Sequence, residues 1–304
     1  MRALAALILQ GRSEAVAVVA CAAGAALFLP PLIVVSAAAL ALVTLHSGMR
    51  EALWVMGLAV VALVVVGIVT PVGPELGAKL VALWLPTSVL AWVFRCTESL
   101  ARTLEVLVVW AALGVLGAYW LLGDPASLEF ESIKASFRQI AEVAQTDMDA
   151  SASAETLRNF SRYMLTGLLA SSFASSFFLG FFLGWWWHAL LADSRGVTDD
   201  FVNVRLHPWF GGAGVALIVA AMVQDGKMQE IACNLIVPFC VLFSIAGVAV
   251  LHSLISAKAG KGFLLFGVYF VFLVVPYAIV PMAVIGVTDV WMDWRNRSSA
   301  GLMG

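Results

Sequence analysis

Residues 163–191 run for about 29 positions without a charged side chain. About 20 apolar residues are enough for a helix to cross a hydrocarbon core of about 30 Å, so this run reads as a membrane span. Ser172, Ser176, Gly180 and Gly184 recur within it at every fourth position, alternating with Phe177, Phe178, Phe181 and Phe182, and it closes on Trp185-Trp186-Trp187-His188. Small residues four apart form a groove where another helix backbone can come close. Tryptophans suit the membrane–water interface. Steps of four overshoot a full turn by about 40° on a helix of 3.6 residues per turn, so the groove winds around the helix and serves two neighbours. This places the span at the centre of a bundle, with Trp185 to His188 as its cytoplasmic collar.

Composition extends the reading to the whole chain. Of 304 residues, 62% are hydrophobic and 12% charged, where a soluble domain carries roughly a quarter charged. Most of the surface therefore faces lipid. A net charge of −2 gives no basis for a nucleic-acid partner. Cys21, Cys96, Cys233 and Cys240 form no C-x-x-C pair and read as small buried hydrophobes. No cofactor or metal is implied.

Apolar segments fall at 15–29, 32–45, 52–70, 80–94, 104–122, 163–191, 209–223, 231–254 and 263–287. The first does not read as a cleaved signal, because it continues past Pro30-Pro31 to Leu45 with no polar cleavage region. The first two are either two short tilted helices or one broken span. A 15-residue helix covers only roughly 22 Å, so the bilayer must thin or neighbours must shield its ends. With nine spans and the N-terminus inside, nine Lys and Arg in the short segments lie inside and four outside, as the positive-inside rule prefers. Arg295 and Arg297 remain on the disfavoured side. Eight spans nearly erase that bias. The expected fold is thus all-α, a polytopic transmembrane helical bundle of about nine spans, in a single integral membrane domain covering 1–304. Residues 123–161 form a polar acidic insertion on the extracytoplasmic side, with an amphipathic helix over 128–145 carried by Phe130, Ile133, Phe137 and Ile140.

Enzyme signatures are absent: there is no G-x-x-x-x-G-K-[ST], G-x-S-x-G or H-E-x-x-H. The four histidines at 46, 188, 207 and 252 are isolated in sequence. Charges beside the spans are the better candidates, since burying one costs several kcal/mol unless it is paired or wet. Glu98, Arg102 and Glu105 can share one helix face, either as a self-neutralising group at the mouth of span five or as a gate. Glu51 at the start of span three is explained by the helix dipole alone. Towards the C-terminus, a continued helix puts Asp289 and Asp293 on one face with Arg297 a turn later, and Trp291 and Trp294 on another. This segment, with Arg295, is either an anchored helix end or a contact surface for a ligand or partner. Pro86, Pro238, Pro276 and Pro281 lie inside apolar segments, and each frees a backbone carbonyl that something must satisfy. Asn234, one turn before Pro238, can do so or face a cavity. His252 completes the candidate contacts.

Five short patterns resemble a known family. They are Leu29-Pro30-Pro31, Leu45-His46-Ser47-Gly48-Met49-Arg50, Arg205-Leu206-His207-Pro208, Gly247-Val248-Ala249-Val250-Leu251-His252, and Gly286-x-x-Asp289-x-Trp291-x-Asp293-x-Arg295. Together they look like the YybS-like family of predicted bacterial membrane proteins, of unknown function, over nearly the whole chain. The resemblance implies a bacterial inner-membrane protein, loosely similar in fold to substrate-binding components of energy-coupling-factor vitamin transporters. The leading expectation is a small-solute transport component that binds its ligand between helices and works with a separate energising partner. The alternative is a structural or assembly protein that binds membrane partners, or further copies of itself, through small-residue grooves and the extracytoplasmic segment. An intramembrane enzyme ranks third.

Overall fold

A computed structural model describes residues 2–69, 73, 75–125, 155–156, 158–192, 197–256 and 260–295. The amphipathic helix expected at 128–145, and Arg297, lie outside these residues. Every described element is helical. The helices are α1 (Arg2–Ile8), α2 (Arg12–Ala25), α3 (Leu32–Ser47), α4 (Met49–Val69), α5 (Glu75–Thr97) and α6 (Leu100–Leu122). They continue with α7 (Thr166–Ala192), α8 (Val197–Val202), α9 (Pro208–Val223), α10 (Lys227–Ser256), α11 (Lys261–Val274) and α12 (Ile279–Met292). A π-helical turn, Ser161–Leu165, leads into α7, and a 3₁₀ turn, Pro276–Ala278, precedes α12.

Five stretches are long and apolar enough to cross a membrane: Met49–Ile68, Glu75–Thr97, Leu100–Leu122, Arg158–Ala192 and Lys227–Ser256. Leu32–Ser47, Pro208–Val223, Lys261–Phe272 and Ile279–Met292 are apolar but shorter. A membrane helical bundle is therefore in place, and among the described residues helix length alone supports five crossings, which does not confirm nine. The segment expected as one span at 263–287 is two helices. Val275 is extended (φ −103, ψ 102), because Pro276 disfavours the α conformation in the residue before it and has no N–H to donate. Pro86 and Pro238 stay inside continuous helices.

The chain falls into two compact units, Met1–Leu107 with Phe173–Val204, and Val108–Ser172 with Arg205–Gly304. In the first unit α2 and α3 form a helical hairpin around Pro30-Pro31. Ser36 Oγ donates to the Val19 carbonyl (2.9 Å) and accepts from Trp84 Nε1 (3.0 Å). Residues Ser36 to Leu45 of α3 are buried without a break. The short helix is therefore shielded by α2, α4 and α5, which all pack on it.

The small-residue stripe is half used. A Cβ on Gly184 would lie 2.6 Å from the Ala38 carbonyl oxygen and 2.7 Å from Ala41 Cβ. One on Gly180 would lie 2.9 Å from Ala37 Cβ and 3.1 Å from Thr87 Cγ2. Ser176 is half-buried and Ser172 exposed, and the Ser172 hydroxyl donates to the Leu168 carbonyl of its own helix. Gly184→Ala is expected to lower stability by about 2 kcal/mol through overpacking, and Ser172→Ala to stay within about 0.5 kcal/mol, both read by thermal melting in detergent.

Two expectations for this helix are corrected. Trp185 and Trp187 are 5% and 1% exposed, so their rings are packed on protein, and of the three tryptophans only Trp186, at 38%, is open at the surface as a collar requires. Trp185 stacks on Phe181 (centroids 6.0 Å apart, 7°) and meets Phe94 at 5.0 Å, where large aromatic area is buried against aromatic area. Nor is this span the most enclosed one. Its apolar window is 33% buried, against 56% for the window in α10.

In the second unit α10, of 30 residues and so roughly 45 Å, is the spine. It packs against α9, α11 and α12. Gly247 of α10 lies against the Met282 carbonyl and Gly286 of α12 against the Phe243 carbonyl, so each glycine sits where a Cβ would overlap the other helix's backbone. Gly211 of α9 lies under the Trp291 ring, 2.9 Å from where its Cβ would be.

Candidate functional site

The first unit holds an open cleft of about 310 Å³ between α1, α2, α3 and α4, lined by Ile8, Leu9, Arg12, Val43, Glu51 and Val55, with Gly11, Ala15 and Ser47. Local sequence builds it. Gly11 is extended (φ −176) and separates α1 from α2, so Arg12 opens α2 at the cleft edge. Gly48 (φ 97) turns the chain from α3 into α4 within one residue, a conformation glycine adopts without strain. That brings Glu51, in the first turn of α4, to Arg12. The pair is two-pronged: Arg12 Nε donates to Glu51 Oε1 and Arg12 Nη2 to Oε2 at 2.8 Å. The Arg12 side chain is 63% exposed and that of Glu51 26%. Ile8, Leu9, Val43 and Val55 supply aliphatic wall, and polar groups including Ser47 make up about as much of the lining. Such a cleft can take a small solute with an apolar body and a charged group, which would replace one half of the existing pair. A ligand carboxylate suits the planar guanidinium fork, and a ligand amine suits Glu51.

The chain's relatives bear on the fold at this point. The family described as predicted membrane protein (DUF2232) matches residues 15–290. The chain belongs to that family. This agrees with the resemblance read from the short patterns, whose C-terminal part runs past the match, with Asp289 inside it and Asp293 and Arg295 beyond. No curated protein matches the chain, and no solved structure does.

The residues singled out from sequence do not gather in one place. Glu98 does not share a face of α6 with Arg102 and Glu105. It has φ 48, closing α5 through its N–H to the Phe94 carbonyl (2.7 Å), while Ser99 Oγ accepts from Arg102 N at 3.4 Å. The left-handed residue breaks the helix before α6 begins. Glu98 and Arg102 are exposed or half-buried at the surface, as is Glu105. His252 is half-buried and bonds Tyr269 Oη at 2.7 Å.

The C-terminal group is also rearranged. The helix does not continue through Asp293, which has φ 46 and caps α12 through its N–H to the Asp289 carbonyl. Beyond that turn the chain folds back. Arg295 meets Asp289 at 3.3 Å with side chains 7% and 10% exposed, and Trp294 N donates to Asp289 Oδ1 at 3.0 Å. Arg205 pairs with Asp293 at 3.2 Å in a more exposed position. Burial pushes the Arg295 guanidinium below its usual pKa, with Asp289 pulling the other way. Removing Asp289 by alanine is expected to cost about 2 kcal/mol by stranding a buried cation. Asp293→Ala is expected to cost at most about 1 kcal/mol, as for an exposed pair. Chemical denaturation of the two variants in detergent separates these effects.

Asn234, a candidate in sequence, joins a polar cluster of the second unit that sequence does not reveal. Its Oδ1 accepts from Gly167 N (2.8 Å). Its Nδ2 donates to Tyr119 Oη (3.0 Å), the Arg162 carbonyl (2.7 Å) and the Glu230 carbonyl (2.9 Å). Arg162 lies in the π-turn, which is one residue wider than an α-turn and takes carbonyls off the α-helical ladder. Its guanidinium meets Glu230, whose side chain is 8% exposed. The Asn234 carbonyl, freed by Pro238, lies against Gly167, whose missing Cβ leaves it room. The amide therefore braces the π-turn, with its oxygen and nitrogen both bonded to protein.

Sequence reasoning missed Arg12, Arg162, Glu230 and Gly247. The only local signals were a charge at the mouth of an apolar run and the i,i+4 spacing of Glu230 and Asn234.

Proposed function

We propose that the chain acts as one integral membrane domain, a small-solute transport component of the bacterial inner membrane that binds its ligand between helices. The binding place is the Arg12–Glu51 cleft. The observation that carries this is the pairing of cavity and chemistry: a cleft of about 310 Å³ whose lining is shared by aliphatic side chains and polar groups, among them one two-pronged ion pair. Small-molecule sites are concave and largely apolar, with a few placed polar groups. The ligand class this favours is a small carboxylate or amino acid. The resemblance read from the short patterns implies a loose likeness to substrate-binding components of energy-coupling-factor transporters, and on that analogy a separate energising partner is proposed. The assembly reading rested on the small-residue groove and on the extracytoplasmic segment; Gly180 and Gly184 are already filled by α3 and α5, and that segment lies largely outside the described residues.

The test is ligand-induced stabilisation of the purified chain across a panel of amino acids, small carboxylates, amines and vitamins. A ligand at about 100 times its Kd stabilises by about 2.7 kcal/mol. The expected result is at least one hit whose shift disappears in Arg12→Gln while the unliganded melting temperature is kept, since Arg12 is mostly exposed. No hit across the panel, or a hit indifferent to Arg12→Gln and Glu51→Gln, overturns the reading.

A further inference from the structure

A second group of basic side chains sits where α3 ends. Arg95 of α5 donates from Nη1 to the carbonyls of Thr44 (3.2 Å) and Leu45 (2.7 Å). These are among the last carbonyls of α3, where a cation is favoured. The guanidinium lies beside this turn: a Cβ on Gly48 would be 3.9 Å from Arg95 Cζ, an ordinary contact distance. His46, the penultimate residue of α3, and His188 of α7 have ring centroids 6.3 Å apart at 58°. Both His46 and Arg95 lie within electrostatic range of His188. His46 and Arg95 are exposed and His188 is half-buried. Arg50, also exposed, follows in the first turn of α4, at the positive end of that helix. Among the described residues no ion pair reaches Arg95, His46 or His188. The Glu51 carboxylate, near the same turn in sequence, is held by Arg12.

We infer that His46, Arg95 and His188 form a binding site for a phosphate group. A guanidinium already pinned on one nitrogen, with two imidazoles beside it, offers several N–H donors to one multi-oxygen anion. A bare metal ion would be repelled by Arg95. The group lies at the ends of apolar helices, the level at which lipid phosphates sit. A lipid headgroup and a soluble phosphorylated solute share this chemistry. The site is separate from the Arg12–Glu51 cleft reading and stands without it.

The experiment uses the full chain in maltoside micelles, following its melting temperature. One arm adds dioleoyl phosphatidic acid, a second adds the diacylglycerol with the same chains, and a third adds inorganic phosphate alone. Stabilisation by phosphatidic acid beyond that by diacylglycerol supports the site with a lipid source. Stabilisation by inorganic phosphate alone supports it with a soluble source. In either case the His46→Gln/His188→Gln variant, which leaves the Arg95 cap of α3 in place, is expected to bind about tenfold more weakly. Arg95→Gln serves as the second variant where it folds. The inference is overturned if neither phosphatidic acid nor inorganic phosphate stabilises the chain beyond the diacylglycerol control. It is equally overturned if the double histidine variant binds as the wild type does.

Discussion

Gly247→Ala is expected to lower stability by about 3 kcal/mol, a fall in melting temperature of roughly 10 °C for a chain of this size. The reason is a backbone approach made from both sides. Gly247 meets the Met282 carbonyl while Gly286 meets the Phe243 carbonyl, and a Cβ on either would overlap the opposing main chain. A flexible side chain could move aside, but a helix backbone moves only by separating α10 from α12 along much of their length. Within lipid that separation is not opposed by a hydrophobic effect between helices, so the van der Waals attraction between the two backbones is itself the association energy, and separation forfeits it. Gly286→Ala is expected to behave alike, and the double variant to cost less than the sum, since both act on one crossing. Gly262→Ala is the control, because no atom lies within 4 Å of a Cβ there, and it should be neutral or slightly stabilising. Equal melting temperatures for Gly247→Ala and Gly262→Ala would show that the two backbones do not approach this closely.

The second large effect concerns Asn234. Asn234→Asp keeps the size and shape of the side chain but reverses one end of it. The acceptor for Gly167 N survives. The group that donated to Tyr119 Oη and to the Arg162 and Glu230 carbonyls becomes an oxygen facing two carbonyl acceptors, with the Tyr119 hydroxyl as the one neighbour of the three that can turn and donate. Asn234 is fully buried, so neither water nor rotation relieves this, and the expected loss is about 3–5 kcal/mol. Asn234→Leu removes the same bonds without adding a charge and is expected to cost about 3 kcal/mol. The ordering, with Asp at least as harmful as Leu, is the informative readout. It is measured by denaturant unfolding in micelles, with proteolysis near Arg162 reporting whether the π-turn opens. An aspartate variant that melts like the wild type would mean the amide donors do not hold the turn.

These two positions show how unevenly the fold was legible. The glycines at 180 and 184 stood out because four-residue spacing is a local pattern, and both are packing positions. Gly247 and Gly286 matter more, yet each is a lone glycine in an apolar run, and their partnership joins residues 39 positions apart. Pro276 breaks its run by acting on its own residue and the one before it, yet 263–287 reads as one segment from hydropathy. Pro238 does not break its helix, because Gly167 accommodates the freed carbonyl from another helix. The charges were hardest to place. Glu98 and Arg102 are spaced for one helix face, but a left-handed residue at Glu98 separates them, and nothing in their spacing shows it.

Sequence alone determined that this is a helical membrane chain, where most of its apolar segments lie, and that proline breaks the run at Pro30-Pro31. Those properties come from hydropathy, length and backbone chemistry, which act within a few residues. Only the tertiary structure decided that Glu51 pairs with Arg12, that Glu230 pairs with Arg162, that Arg295 folds back onto Asp289, and that Trp185 and Trp187 of the long apolar run are core. A helix in lipid is apolar all round, so its sequence does not mark which side meets protein and which meets lipid. Those choices are made by helix–helix packing between residues far apart in the chain.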